Sequence, residues 1–427
     1  MTSHGARAPR VNGAIRVPGD KSISHRALML AALAEGSSEI RGILRSADVR
    51  STAAVLRALG VTIPDLDVEV VTVAGVGRGG LRASAESLDC GNSGTTARLM
   101  AGILAASHFT STLIGDASLS RRPMRRVATP LRAMGATLEP SAEGGLPMTI
   151  HGRTLQGTTW HSETASAQVK SAILLAGLVA DVPVEVHEPA ATRDHTERML
   201  RARGIDVRSE GNSISLVPGA ALRAAATDVP GDPSSATFFA ALAAMSDGGT
   251  LALEHVGINP TRTGAFDVLV RMGATLKFEA FADAGGEPVA RLVVSPGLLG
   301  ATIIEPHEVP SLIDELPMLA CVAARAQGET RVTGAAELRV KESDRITAVV
   351  QNLRGVGVDA EELPDGFVVR GSDRPLAGRV VTHGDHRIAM AFGVLSAVSG
   401  GGIVVDDPDC AIVSFPGFWE LLTHVTR

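Results

Sequence analysis

The chain has 427 residues, enough at ~100–200 residues per domain for two or three domains and too long for a small disulfide-stapled module. Hydrophobic residues make up 45% and charged residues 20%, with 3% aromatic, no tyrosine and 46 glycines: a globular chain packed from small aliphatic side chains, not a disordered one. The formal net charge of −6 argues against a general nucleic-acid binder, which carries a basic excess.

Cys90, Cys321 and Cys410 are odd in number and far apart, with no CxxC or Cys/His spacing, so neither a disulfide framework nor a structural zinc is expected. Residues 1–10 lack the apolar core of a signal sequence, and no run approaches the ~18 apolar residues of a membrane span. A soluble cytoplasmic protein is expected.

In chain order, a short alternating segment at Val11–Val17 comes first. From Pro18 a small polar cluster runs into an alanine-rich apolar stretch, PGDKSISHRALMLAALAEG. The arrangement recurs as CGNSGTTARLMAGILAA from Cys90, TASAQVKSAILLAGLVA from Thr164, PGDPSSATFFAALAAM from Pro230, PSLIDELPMLACVAARAQG from Pro310 and HGDHRIAMAFGVLSAVSG from His383. Successive starts lie 66 to 80 residues apart, and the first and fourth both open with VPGD, which suggests two homologous halves. The period is longer than the ~20–50 residues of the common solenoids.

Each apolar stretch is hydrophobic nearly all round, as a fully buried helix requires. A short alternating run follows, such as SSEIRGIL, PVEVHE, TLALEHV or GIVVDD, and reads as a strand. A helix with a charged face comes next and closes on a glycine, at Gly60, Gly135, Gly204, Gly273 and Gly357, the expected C-cap. Two more alternating runs complete most units, and the sixth stops after FPGFWELLTHV. The segment Val11–Val17 is then expected to supply the strand pairing missing from unit six. The expected fold is α/β, with two similar domains of three βαβαββ units, each an inside-out barrel with buried helices and outer sheets. One domain is continuous, 19–229, and the other is split, 1–18 plus 230–427.

The polar clusters are rich in Gly, Ser, Thr, Asn and Asp, which cap helices, and helix N-termini attract anions. They also carry cations: Lys21 and Arg26, Arg98, Lys170, Lys341 and Arg345, and Arg387, with Arg121, Arg122, Arg193 and Arg262 just outside. Bidentate arginines suit carboxylate and phosphate, so six aligned cationic clusters in an acidic chain point to a small polyanionic substrate. Single motifs say less. KESDR reads alone as an exposed helix start, and GDHR as a cap that contains a candidate acid/base histidine, His386. His383 and His386 lack a third ligand, so no metal and no cofactor is expected. GVGRGG at Gly75–Gly80 lies in a hairpin and opens no helix, which rejects a dinucleotide fingerprint, and the absence of GxxxxGK[ST] removes P-loop chemistry.

Taken together, PGDKSISHRA, GNSGTTARL, GDASLSRRPM, SAQVKSAILLAGL, LRVKESDRI and GDHRIAMA resemble the 5-enolpyruvylshikimate-3-phosphate synthases, enolpyruvyl transferases, from Pro18 to Trp419. The resemblance implies transfer of the enolpyruvyl group of phosphoenolpyruvate to the 5-hydroxyl of shikimate 3-phosphate, with release of phosphate, in aromatic amino acid biosynthesis. The expected partners are these two small molecules and no nucleic acid or membrane, and a monomer is expected. By motif, the resemblance places Lys21, Ser22, Arg26, Ser166, Ala167, Gln168, Arg193, Asp314 and Lys341 at the shikimate 3-phosphate site. Lys21, Gly94, Thr95, Arg122, Gln168, Arg345, His386 and Arg387 fall at the phosphoenolpyruvate site. Asp314, Glu342 and Lys21 correspond to the acid/base groups, with Asp314 as base toward the hydroxyl and Glu342 and Lys21 as proton carriers.

RDHTE, GDKS, SAQVK and NPTR resemble the subgroup known for tolerance of the inhibitor glyphosate, but that tolerance goes with alanine where this chain has Gly94. Partial tolerance or none is therefore expected. Val413 stands where many members carry a lysine before the [ST]FP motif. The rival is the related transferase acting on UDP-N-acetylglucosamine, which has the same fold but opens on a GAKNA-like motif and carries a loop cysteine, unlike GDKSISHR and RRPM here. A non-catalytic phosphometabolite-binding paralogue is disfavoured by the intact Asp314, Lys341, Glu342 and Arg387.

Overall fold

The structure, a computed structural model, describes residues 8–400 and 402–427. Residues 1–7 of the expected 1–18 segment lie outside the described residues. The chain forms two compact units. The continuous unit holds Gly19–Pro230 with Asp283–Glu287, and the split unit holds the described residues up to Pro18 with Gly231–Ala282 and Pro288–Arg427. Each has its own apolar core.

All six apolar stretches are helices: Lys21–Leu33, Gly94–Ala105, Ala167–Ala180, Pro233–Ala244, Leu316–Ala323 and His386–Val398. They are buried nearly all round; every residue of Pro233–Ala244 is inaccessible or close to it. Five of the six start on a side-chain cap, in which Asp20, Ser93, Ser166, Asp232 and Asp385 accept a backbone N–H of the first turn. The sixth, Leu316–Ala323, is instead led in by short 3-10 turns at Val309–Ser311 and Ile313–Glu315. The second helices of the repeats end where expected. Gly60, Gly135, Gly204, Gly273 and Gly357 all have φ between +88° and +108°, open to glycine at little cost.

The sheets are small and lie outside the helices. In the second, third and fifth repeats the strand before the buried helix pairs in parallel with the strand after it, as Leu88–Asp89 with Thr110–Ile114, and an antiparallel hairpin adds two more strands. The first and fourth repeats exchange their leading strands. Gly13–Ile15 precedes the first buried helix but pairs with Leu251–Gly257 after the fourth, whereas Thr227–Asp228 precedes the fourth and pairs with Glu35–Arg41 after the first. The expectation for Val11–Val17 is thus corrected: the segment joins the sheet of unit four, not unit six. The sixth repeat keeps a two-stranded sheet of Gly378–Val380 and Ile403–Val405. The physical reason is that a leading strand pairs in parallel beside the strand that follows a buried helix, and in repeat six Gly378–Val380 already fills that place.

Nine of the ten phenylalanines fall between residues 238 and 418, and the split unit packs Phe238 and Phe415 edge to face on Phe418, with Phe239 tilted against Phe415 and Phe418. The continuous unit relies on close helix approach instead. A Cβ on Gly102, in the second buried helix, would sit 2.2 Å from the Ala172 carbonyl oxygen of the third. Gly102→Ala is therefore expected to cost about 1–3 kcal/mol by overpacking. Gly135→Ala, at a positive φ with open space around it, should cost about 1–2 kcal/mol from backbone conformation alone. Urea midpoints of the two variants measure both losses, and Gly102→Ala matching the wild type would sink the close-packing account.

Candidate active site

In the continuous unit the cluster is built on the first turns of three buried helices. Asp20 caps the first by accepting Ile23 N–H at 2.8 Å, which puts Lys21 and Ser22 in the first turn. Lys21 Nζ lies 3.1 Å from Asp48 Oδ2. Arg26, one turn on and 4% exposed, donates through Nε to Thr196 Oγ1 at 2.7 Å, through Nη2 to Ser171 Oγ at 2.8 Å and through Nη1 to the Ser22 carbonyl at 3.0 Å. Burial, with a smaller effect from nearby Arg193, lowers its pKa to about 10. Ser166 caps the third buried helix, with Ala167 and Gln168 in its first turn. Gln168 ties that helix to the second: its Oε1 accepts Arg98 Nη1 at 2.7 Å and its Nε2 donates to Thr95 Oγ1 at 3.0 Å. Gly94 opens the second helix, and a Cβ there would meet Arg98 Nη1 at 2.9 Å and Arg122 Nη1 at 3.4 Å. Arg122 donates to Asn92 Oδ1 at 2.9 Å, and Asn92 in turn to Asp116.

Two cations grouped with these by sequence are structural. Lys170, 2% exposed, lies 2.7 Å from Glu188 Oε2 and 2.8 Å from Glu197 Oε1. Burial pulls its pKa down, but Glu197 and Glu188 outweigh that and raise it. Arg262, in the split unit and 3% exposed, donates to Asp232 Oδ1 and Ser234 Oγ, both at 2.9 Å.

In the split unit the cluster centres on Arg345, 1% exposed at the start of helix Arg345–Gly355. Its Nε donates to Asp385 Oδ2 at 2.8 Å, Nη2 to Glu342 Oε2 at 2.7 Å and Nη1 to Asp314 Oδ1 at 3.3 Å. Burial works to lower its pKa, yet Asp385, Glu342 and Asp314 raise it further. Asp385 is inaccessible; desolvation raises its pKa, but Arg345 prevails and the carboxyl lies below the usual range. The KESDR segment is therefore not an exposed helix start. Asp314 also lies 3.6 Å from Lys341 Nζ. Arg387, 8% exposed, donates through Nη1 to the Asp314 carbonyl at 2.8 Å and to Glu315 Oε1 at 3.2 Å, while Nε and Nη2 make no hydrogen bond among the described residues. His386 lies buried beside it in the first turn of the last buried helix.

Asp314, Lys341, Glu342, Arg345 and Arg387 are thus brought together, and so are Gly94, Thr95, Arg122 and Gln168. Sequence reasoning missed Asp48, Glu315 and Asp385. In sequence Asp385 reads as a cap only; the acidic partner that a buried arginine needs is the signal available for it.

The EPSP synthase (3-phosphoshikimate 1-carboxyvinyltransferase) family model matches residues 6–422. A 3-phosphoshikimate 1-carboxyvinyltransferase of Alkalilimnicola ehrlichii is 50% identical over 422 residues, 99% of this chain and 95% of the relative. The solved EPSP synthase of Acinetobacter baumannii is similar at TM-score 0.88 and 45% identity, over 98% of this chain and 97% of that one. The enolpyruvyl transferase NikO of Streptomyces tendae, at TM-score 0.77 and 18% identity over 98% of this chain and 96% of that one, shares the fold.

Beside Thr96, a chain of hydroxyls ends on a buried histidine. His25 Nδ1 lies 2.7 Å from Thr52 Oγ1, Thr52 2.6 Å from Thr96 Oγ1, and Thr96 donates to the cap Ser93 at 2.8 Å. Burial lowers the His25 pKa to about 3, from 6.5. A depressed folded pKa means that the unfolded chain binds the extra proton, so the contribution is intact above pH 6.5 and is lost as pH falls toward 3, at about 1.4 kcal/mol per unit. His25→Gln keeps a partner for Thr52 without titrating. Its stability relative to wild type should improve steadily from pH 7 to pH 4 in thermal melts, and a constant difference would refute the assignment.

Proposed function

The chain belongs to the EPSP synthase family, and on that premise we propose which of its residues carry the reaction. That reaction transfers the enolpyruvyl group of phosphoenolpyruvate to the 5-hydroxyl of shikimate 3-phosphate and releases phosphate, a step of aromatic amino acid biosynthesis. The observation that supports the residue assignment best is the setting of Arg387. Two protein oxygens hold Nη1, while Nε and Nη2, which make no hydrogen bond among the described residues although Asp314 Oδ2 lies 4.0 Å from Nη2, present a pair of parallel N–H donors, the geometry that takes a carboxylate or phosphate side-on. We assign it to phosphoenolpyruvate.

Gly94, Thr95, Arg122, Gln168 and Lys21 of the continuous unit, and His386 of the split unit, are assigned by motif to the same substrate. Arg345 serves it as a fixed positive charge, since all three of its nitrogens already carry carboxylates. Lys21, Ser22, Arg26, Ser166, Ala167, Gln168, Arg193, Asp314 and Lys341 are assigned to shikimate 3-phosphate. Asp314, locked between Lys341 and Arg345, takes the proton of the 5-hydroxyl as its oxygen attacks C2 of phosphoenolpyruvate. Glu342 or Lys21 delivers a proton to the methylene carbon, which generates the cationic character at C2. The tetrahedral intermediate then returns a proton from the methyl group and expels phosphate, whose charge the arginines balance without a metal. We propose that the protein acts as a cytoplasmic monomer. No helix among the described residues is long and apolar enough to cross a membrane.

Phosphate release from phosphoenolpyruvate is expected with shikimate 3-phosphate and not with UDP-N-acetylglucosamine; activity with the second alone would overturn the assignment. Asp314→Asn should lower kcat about 10²–10⁴-fold, the range of a lost general base, with the fold retained by circular dichroism. Glyphosate is expected to inhibit the wild type, and Gly94→Ala, whose methyl presses on Arg98 and Arg122, should raise the concentration needed. A wild type inhibited only at very high glyphosate would contradict the role given to Gly94.

A further inference from the structure

We propose that Glu315 is the positioning residue of Arg387 and through it sets the affinity for phosphoenolpyruvate, an inference that rests on the assignment of Arg387 above. Glu315 ends the 3-10 turn that carries Asp314, and its side chain is 2% exposed. Its Oε1 accepts both the Ser234 hydroxyl and Arg387 Nη1, the latter at 3.2 Å. Its Oε2 is buried with no hydrogen-bond partner. A buried carboxylate oxygen without a partner is destabilising, and an apolar side chain of similar volume would fill the same space without that cost. The charge is therefore retained for what it holds.

What it holds is one edge of a guanidinium. An arginine side chain carries about 2 kcal/mol of rotamer entropy, so an arginine that must meet a planar anion benefits from being fixed beforehand. The hydrogen bonds of Arg387 fall on Nη1, with acceptors from two consecutive residues, the Asp314 carbonyl and the Glu315 carboxylate, and the Asp314 carboxylate lies 4.0 Å from Nη2. Two acceptors on one nitrogen define the plane and the direction of the opposite Nε–Nη2 edge.

Glu315 is itself held. Ser234, which donates to it, accepts Arg262 Nη2 at 2.9 Å, and the same Nη2 donates to Asp232, the cap of the fourth buried helix. A chain of polar contacts thus runs Asp232–Arg262–Ser234–Glu315–Arg387, from the first turn of the fourth buried helix to the first turn of the sixth, within the split unit. Neither end moves easily, because both helices are buried along their length. The Arg262 that closes the NPTR motif acts, on this account, through Ser234 and Glu315 on the edge of Arg387.

Steady-state kinetics on the full chain test the proposal. Glu315→Gln keeps the shape and an acceptor oxygen but removes the charge. The expected result is a KM for phosphoenolpyruvate raised about tenfold, consistent with a charge-assisted hydrogen bond reduced to a neutral one, with the KM for shikimate 3-phosphate within twofold of wild type and kcat less affected. Ser234→Ala, which removes only the donor behind Glu315, should move the same KM in the same direction by less, and it keeps the proposal testable if Glu315→Gln folds poorly. A purely structural residue would lower the active fraction and leave both KM values alone. A phosphoenolpyruvate KM within twofold of wild type in both variants, or equal rises in both KM values, overturns the role of Glu315. An unaltered chain that releases no phosphate overturns the substrate assignment itself and this inference with it.

Discussion

A helix buried along its whole length must still satisfy the free N–H groups of its first turn, and six such helices make this the constraint on which the molecule is organised. Alanine and leucine cannot supply the acceptors, so five of the six apolar runs are preceded by a capping Asp or Ser, and polar residues gather at the start of each helix. In five repeats a side-chain oxygen does this directly. Charges then follow the caps. A buried aspartate such as Asp385 needs a cation, Arg345 answers it, and Arg345 in turn gathers Glu342 and Asp314. The acid/base candidates stand where they do because a helix start needed a cap.

The same logic separates cations that hold the fold from cations that are left to bind. Lys170, Arg262 and Arg345 are bonded to oxygens of the protein, and Lys170 and Arg345 have their pKa raised by acidic neighbours in spite of burial. Removing one partner of such a pair strands a buried charge, which is typically worth several kcal/mol. Arg387 differs, with its hydrogen bonds on one nitrogen and only the longer 4.0 Å approach of Asp314 Oδ2 to Nη2. An anion site needs both kinds, because a receptor arginine is selective only when its neighbours cannot rearrange around the ligand.

Most of the fold was legible because its determinants are local. The buried helices declare themselves by unbroken apolar runs, their starts by Asp and Ser, and the ends of the outer helices by glycines that the chain turns through at positive φ. The leading strands were not legible. Gly13–Ile15 and Thr227–Asp228 are too short to carry a pattern that specifies their partners, and which strand each joins is decided by tertiary pairing. At the site, residue types and helix starts were readable from the motifs, but whether a cation was open or paired was not. Lys170 and Lys21 look alike in sequence, yet Lys170 is enclosed between Glu188 and Glu197, whereas Lys21 pairs with Asp48 at the edge of solvent.

That distinction also bears on the four motifs that resemble the glyphosate-tolerant subgroup. Lys170 of SAQVK is bonded to Glu197 of RDHTE, both nearly inaccessible, and His195 of RDHTE lies 2.7 Å from the equally buried Glu287. Arg262 of NPTR is bonded to Asp232, and Asp20 of GDKS caps a helix. Members of such buried pairs have to be kept or exchanged together, since either alone leaves an uncompensated charge. These residues therefore report how the interior of each unit is tied, and their direct partners are other protein groups. At Gly94, by contrast, a methyl would face two arginine side chains, at 2.9 and 3.4 Å. Space at Gly94, rather than the buried pairs, is what should govern how a phosphoenolpyruvate-sized inhibitor is received.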